Sequence, residues 1–396
     1  MLSVLWLTTE YPWPEDPVGG IFHRTAARSL VTAGVRVILV SPTPAAPWPL
    51  PLIRERWRRY SEAPTDEVDQ GVEITRPRYL GFPGDPSWAR SDARIANVTR
   101  GILAAHPDIR LVHAHYPAPM GMAAWHLARA TGLPYVVTHH GSDDVWRDAH
   151  RTRLGTYRQA LRGASRVLAV SESLKEELAS VAGVDATVLP IGVDLARFTT
   201  DGASRDEARR ELGIAPERTV VLLVATLVPA KGIRPFVDAV IGLGRPFLAL
   251  IVGEGSEFGY RADDGSDVIR YTGAVPNDLI PRYLAAADML ILPSETEGLP
   301  TVLVEAGAAG VPTIATAVGG IPELLGSDRG LLLDGLSAEA IATALTGVAN
   351  NRDGATARAD RLRQFVLEQY DARQNGARLA KLYEAVLAEH DRGRPA

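Results

Sequence analysis

Short runs rich in Val, Ile and Leu recur along this chain, separated by longer stretches whose apolar residues repeat with helical spacing. Strands buried on both faces read as continuous apolar runs, and a helix between two of them carries the chain back to the starting edge. The alternation therefore predicts parallel sheets with helices on both faces. In the first half, strands are expected at residues 3–8, 35–41, 111–115, 135–138 and 166–170, with helices around 23–33, 91–105 and 121–131. The rhythm lapses over residues 192–204, which carry Gly, Asp and Thr, and a helix at 205–212 follows, closed by Gly213 as its C-cap. The linker is placed there. A second series of strands is expected at 219–225, 247–252, 268–272, 289–293 and 312–315. With 396 residues, more than one hydrophobic core usually serves, the reading is two doubly wound, Rossmann-like α/β domains, 1–195 and 205–371. A charged helical tail, 372–396, is expected to pack back toward the first domain.

Composition narrows the function by exclusion. A net charge of -5 gives no general attraction to nucleic acid, so no nucleic-acid partner is expected. Cysteine is absent, which removes disulfides, thiolate metal sites and cysteine nucleophiles. The opening MLSVLWLTTEYP lacks a basic leader and a small-residue cleavage site, and reads as a buried strand. No apolar stretch approaches the ~18 residues that cross a bilayer. A cytoplasmic protein is expected. An insertion at 46–67 holds Pro-spaced aromatics followed by Arg54, Arg56, Arg58 and Arg59 around Trp57. It is either a solvated basic helix packed on its own domain or, over 46–60, a peripheral contact with the inner face of a membrane or a lipid-linked acceptor.

The richest segment for chemistry is PSETEGLPTVLVEAGAAGVPTIATAVGGIPELL, residues 293–325. A strand at 289–293 leads into an acid- and glycine-containing turn and then a helix at 301–309, with Pro300 suited to a helix start because its missing N–H costs nothing there. The backbone of Gly298, Leu299, Pro300, Thr301 and Val302 would then form a helix N-terminus, whose free N–H groups attract phosphate. Glu297 and Glu305, eight residues apart, flank that point. One carboxylate can accept from ribose hydroxyls and the other from sugar hydroxyls. Taken alone, such a pair would read as one acid at a helix start and one on the surface.

Their context decides otherwise. The sequence resembles the family 4 retaining glycosyltransferases, whose E-x7-E motif matches Glu297 to Glu305, followed in order by Glu305-Ala306, Gly310-Val311-Pro312 and Gly319-Gly320-Ile321-Pro322-Glu323. Other segments match along nearly the whole chain: Gly19 and Gly20 before the first helix, VHAHYP at 112–117, THHGSD at 138–143, PIGVD at 190–194, ATLVPAKG at 225–232, VGEGSE at 252–257 and TGAVP at 272–276. The resemblance implies the GT-B fold, two such domains facing each other across a cleft, with the acceptor on the first and a nucleotide-sugar donor on the second. It implies a hexosyltransferase-type enzyme that retains anomeric configuration and uses no metal and no cofactor, the nucleotide-sugar being a co-substrate.

By the same resemblance the catalytic residues are His140, which faces the donor sugar, Lys231, which neutralises the departing diphosphate, and Glu297. Donor binding falls to Gly19, Gly20, Thr226, Lys231, Val275, Glu297, the 298–302 segment and Glu305. Thr226 stands where the family has arginine, so a hydroxyl replaces a charge. The acceptor is expected to be a glycan, a lipid-linked sugar or a small molecule; the opening residues 5–24 are similar to those of transferases that build bacterial envelope polysaccharides, including the teichuronic-acid type. Rival readings are a sugar-nucleotide 2-epimerase or phosphorylase of the same architecture, and a non-catalytic sugar-nucleotide-binding subunit. The strand-end histidines 113, 115, 139 and 140 lack metal-hydrolase spacing, and the G-x-G-x-x-G of a dinucleotide-binding oxidoreductase is absent.

Overall fold

The structure is a computed structural model that describes residues 1–17, 19–46, 48–81, 91–141, 154–199, 204–263, 265 and 267–393. The chain divides into two compact units, Met1–Gly192 together with Ala372–Ala396, and Val193–Asp371. The strands of the first unit are β1 Leu2–Leu7, β2 Val35–Val40, β3 Thr43–Ala45, β4 Asp66–Asp69, β5 Val72–Thr75, β6 Arg78–Leu80, β7 Ile109–His115, β8 Tyr135–His139, β9 Arg166–Ala169 and β10 Thr187–Val188. Among the described residues they form a sheet in the order β10-β9-β8-β7-β1-β2-β5-β4 and a separate ribbon β3-β6. Every pairing is parallel except β4 with β5. The chain runs outward from β1 to β2 and later returns past β1 to β7, and this reversal opens a crevice beyond the carboxyl ends of β1 and β7.

The core of unit 1 follows from the strand composition. Val4, Trp6, Val37, Leu39 and Leu111 pack with Leu379, Tyr383 and Val386 of the tail helix Ala372–Arg392. That helix lies against the helix Ile21–Thr32, and Gly376 permits the approach: a Cβ there would sit 2.8 Å from the Ser29 carbonyl oxygen. Exposed pairs Arg110–Asp391 and Arg166–Glu389 lie near its end and contribute little in water.

Unit 2 repeats the plan with β11 Thr219–Val224, β12 Phe247–Val252, β13 Ile269–Gly273, β14 Met289–Leu292, β15 Thr313–Thr316 and β16 Leu331–Leu333. Its sheet runs β13-β12-β11-β14-β15-β16 and is parallel throughout, reversing at β11, so a crevice opens beyond β11 and β14. The expected linker at 192–204 is divided, because Val193 N–H donates to the Tyr370 carbonyl at 2.8 Å and draws the chain, with the short helix Ala196–Thr199, into unit 2. Residues 200–203 of that stretch lie outside the described residues. Among the described residues no helix is long and apolar enough to cross a membrane.

Candidate active site

In unit 2 the loop after β11 meets the loop after β14. Gly232, at φ +65, lies against the end of β14, where a Cβ would fall 2.1 Å from the Pro293 carbonyl oxygen. Glu295 N–H donates to the Ala230 carbonyl at 2.8 Å and ties the two loops further. The result is a short contact between Lys231 Nζ and Glu297 Oε1, 2.6 Å, with the Ser294 hydroxyl donating to the same oxygen at 2.7 Å. Ser294 is itself fixed, its carbonyl accepting from the Thr316 hydroxyl at 2.6 Å. Two donors hold one carboxylate oxygen of Glu297, and no described hydrogen bond engages the other.

The turn is also held from the far side. Gly320 N–H donates to the Gly298 carbonyl at 2.7 Å, and Gly319 sits at φ +53, where a Cβ would be only 1.8 Å from the Glu297 carbonyl oxygen. The helix Thr301–Ala309 then begins with Pro300 in extended conformation one residue before it, rather than inside its first turn; among the described residues no side chain caps the start, and no acid lies in the first turn. Because Pro300 has no N–H, the amides at this end belong to Gly298, Leu299, Thr301 and Val302. Uncapped amides and the helix dipole together favour an anion.

Glu305 lies one turn inside the same helix and is buried. Burial pushes its carboxyl up to about 7, against the pull of the Arg197 charge. Arg197 is anchored by donating to Asn277 Oδ1 at 2.6 Å and to its carbonyl at 2.7 Å. Thr226 is exposed in the loop after β11 and Val275 is half-buried in the turn after β13. Among the described residues none of Thr226, Val275 and Glu305 hydrogen-bonds to Lys231 or Glu297. Gly253 and Gly255 let the 252–257 loop lie on the Thr226 loop, with Cβ positions 1.9 and 2.3 Å from the carbonyl oxygens of Ala225 and Leu227. Arg234 is engaged by Glu257, NH2 to Oε1 at 3.0 Å.

Unit 1 carries a separate cluster at the carboxyl ends of β1, β7 and β8. Gly20, at φ +68, precedes the helix Ile21–Thr32, and a Cβ on it would lie 2.7 Å from the Glu10 carbonyl oxygen; Gly19 N–H donates to Asp16 Oδ1 at 3.1 Å. His140 follows β8, and its Nε2 lies 2.9 Å from His115 Nδ1. His23, in the first turn of that helix, is fully buried, and neither ring nitrogen is hydrogen-bonded among the described residues. One nitrogen from each of His23, His115 and His140 lies within 4.8 Å of the others, a set that could hold a metal ion.

The histidines grouped by sequence thus separate. His113 belongs to a different network, its Nε2 2.7 Å from Thr138 Oγ1 and its Nδ1 on Tyr383 OH, which also accepts from Trp6 Nε1 at 2.9 Å. His23 takes its place in the triad, unmarked in sequence except by following Gly19 and Gly20 at helical distance. Burial lowers His23 and His113 to about 3 and leaves His115 and His140 well below the usual imidazole range, so the cluster is neutral at pH 7. With Trp6, Phe22 and Asn375 these rings line a cavity of about 50 Å³. A larger cavity of about 420 Å³, lined by residues such as Leu332, Thr343 and Arg358, contains none of the candidate groups, and chemistry rather than size marks the site. Ser142 and Asp143 of THHGSD lie outside the described residues.

Known proteins match both units. The model for Glycosyltransferase Family 4 covers residues 21–197 and that for Glycosyl transferases group 1 covers 204–365. The chain is 35% identical over 389 residues, 97% of its own length and 99% of the relative's, to TuaC of Bacillus subtilis (strain 168), named as a teichuronic acid biosynthesis glycosyltransferase. It is 30% identical, over 83% of its length and 88% of the relative's, to a GDP-mannose-dependent alpha-(1-6)-phosphatidylinositol monomannoside mannosyltransferase of Mycolicibacterium smegmatis. Among solved structures it resembles sucrose-phosphate synthase from Thermosynechococcus elongatus, with TM-score 0.81, 20% identity and coverage of 98% and 100% of the two chains. Anabaena HepE in complex with UDP matches with TM-score 0.74 at 18% identity, covering 97% and 100%. The chain belongs to the family 4 glycosyltransferases and is a glycosyltransferase of the GT-B fold.

Proposed function

We propose that this enzyme transfers a sugar from a nucleotide-diphosphate donor with retention of anomeric configuration, without a bound metal, to an envelope glycan or lipid-linked acceptor at the cytoplasmic face of a membrane. The observation that carries the donor half is the contact of Lys231 with Glu297 beside the uncapped start of the helix Thr301–Ala309. A diphosphate placed at that helix end would meet the amides of Gly298, Leu299, Thr301 and Val302, and Lys231 would exchange part of its pairing with Glu297 for the anion. Thr226 adds a hydroxyl and no charge, so neutralisation of the leaving group falls on Lys231 and the helix end. Glu305 accepts from the ribose hydroxyls, Glu297 from hydroxyls of the sugar, and Gly253 and Val275 lie in the loops that border the base.

The chemistry follows from these placements. As the anomeric carbon–oxygen bond to the diphosphate breaks, the bonding electrons leave with the phosphate oxygen, and positive charge builds on the anomeric carbon and ring oxygen. The acceptor hydroxyl attacks from the face the phosphate leaves, its proton passing to that phosphate. His140, neutral and with Nδ1 unpartnered among the described residues, orients the sugar, while Gly19 and Gly20 keep the loop before the first helix open to the substrate. Two relatives support the reading by name: one is GDP-mannose-dependent, the other is named for teichuronic acid biosynthesis. HepE was solved with UDP-glucose.

Thermal-shift titration with UDP-, GDP-, ADP- and dTDP-sugars tests the donor half, since a ligand of the folded state raises stability with occupancy. One class should raise the midpoint in the wild type and not in Lys231→Ala. No shift with any of them would remove the reading. Incubation with donor alone separates transfer from epimerisation, which would alter the sugar without an acceptor.

A further inference from the structure

The segment that follows β3 carries no part of the sugar chemistry. Trp48, Leu52 and Ile53, within six residues, are 82%, 76% and 68% exposed. Large apolar side chains clustered in water and rimmed by charge mark a contact surface. The rim here is basic: Arg54 precedes the helix Glu55–Glu62, Arg58 and Arg59 are exposed on it, and residues 54–62 hold four arginines against two glutamates in a chain of net charge -5.

The platform beneath is built. Trp57 packs under the helix against Gly81, where a Cβ would meet its ring at 3.1 Å. Arg78 donates to the carbonyls of Tyr60, Ser61 and Ala63, satisfying the helix's C-terminal end. Arg59 pairs with Asp16 at 3.5 Å, and Asp16 in turn accepts from Gly19 N–H, so the platform is tied to the glycine loop of the same unit. Arg54 and Arg58 have no ion-pair partner among the described residues.

We propose that residues 48–58 are a docking surface for an anionic lipid bilayer, with Trp48, Leu52 and Ile53 entering the headgroup boundary and Arg54 and Arg58 meeting lipid phosphates. An apolar edge beside a row of arginines is the composition of a helix that lies in the interface plane. Charge selects this occupant over a second copy of the chain, since a two-fold contact through the patch would set arginine against arginine. The proposal does not depend on which donor unit 2 binds. Such a surface would bring the enzyme to an acceptor held at the bilayer.

Co-sedimentation of the full chain with vesicles tests it, using phosphatidylcholine alone and phosphatidylcholine mixed with phosphatidylglycerol. The wild type should bind the mixed vesicles, on the order of tenfold more tightly than the neutral ones, and release as salt rises. Trp48→Ser/Leu52→Ser/Ile53→Ser and Arg54→Glu/Arg58→Glu should each lose about tenfold in vesicle affinity while keeping the wild-type circular dichroism and nucleotide affinity. Unchanged binding in both variants, or no binding of the wild type to anionic vesicles, would overturn it. So would a dimer in light scattering that the apolar variant abolishes. Failure of donor binding alone leaves this result standing.

Discussion

Gly319→Ala probes the turn that carries Glu297. The new Cβ would start 1.8 Å from the Glu297 carbonyl oxygen and 3.1 Å from that of Gly298. Both neighbours are backbone, so no side chain can swing aside. Reaching ordinary contact requires the turn to yield by roughly 1.5 Å, and a misplacement of ~1 Å at a reacting centre costs about 10²-fold in rate. The left-handed conformation, φ +53, adds about 1–2 kcal/mol for any residue with a Cβ. In a domain of this size that lowers the midpoint by roughly 2–8 °C. The expected variant is therefore folded, slightly less stable, and about a hundredfold slower in transfer, with the Glu297–Lys231 contact displaced. Gly347→Ala serves as the control, because a Cβ there meets nothing within 4 Å and the residue lies inside the helix Ala338–Asn350. It should gain up to about 1 kcal/mol and keep full activity. Initial rates with the donor found by titration, together with thermal melts, decide the matter. A soluble Gly319→Ala enzyme within twofold of wild-type rate would refute the claim that this close approach positions Glu297.

Three further outcomes follow, two from the site in unit 2 and one from the histidine cluster of unit 1. Lys231→Ala should lower the rate on the order of 10²-fold, since it removes the cation beside the helix end and leaves Glu297 with only Ser294; a loss below fivefold would move the leaving-group role elsewhere. Glu305, raised to about 7, is protonated in the folded chain below that pH and ionised at a cost above it, so the native state loses stability as pH rises from about 4.5 through 7. Glu305→Gln should consequently stabilise the ligand-free protein at pH 8 by up to about 3 kcal/mol and leave it unchanged near pH 4, read from paired melts. For His23 and His113 the sign is opposite: their folded values near 3 mean the unfolded chain takes up protons first, so stability falls as pH drops below about 6.5. His23→Phe should flatten that acid-side slope in circular-dichroism melts, and an unaltered slope would contradict a neutral buried ring.

The architecture was legible because its signals are local. Continuous apolar runs mark β1, β2, β11 and β12 within a residue or two, and the helices Thr301–Ala309 and Ala372–Arg392 fall where the turn ending at Pro300 and the charged tail place them. The hairpin of β4 and β5 has no such signal, since Asp66–Asp69 is an acidic edge strand whose one apolar residue, Val68, faces solvent. In the candidate site, the spacing of Glu297 and Glu305 and the position of Lys231 could be read along the chain. Their pairing could not, because the 2.6 Å contact depends on Gly232 lying against Pro293 and Gly319 against Glu297, contacts between residues far apart in sequence. The bond from Ser294, which opens that turn, and the position of Arg197 are not legible for the same reason. Their roles come from where tertiary packing aims a hydroxyl and a guanidinium. His23 carries no sequence signal, because a histidine in an amphipathic helix has no distinguishing pattern, and only the fold shows it buried beside His115 and His140.

Proton NMR of the transfer product tests the central claim most directly. With the nucleotide-sugar identified by titration and an acceptor it glycosylates, the account predicts a new linkage of the same anomeric configuration as the donor, formed in the presence of excess chelator at the unchelated rate. An inverted linkage would contradict same-face attack assisted by the leaving phosphate, and a rate abolished by chelator and restored by metal would contradict a leaving group stabilised by Lys231 and the helix end alone.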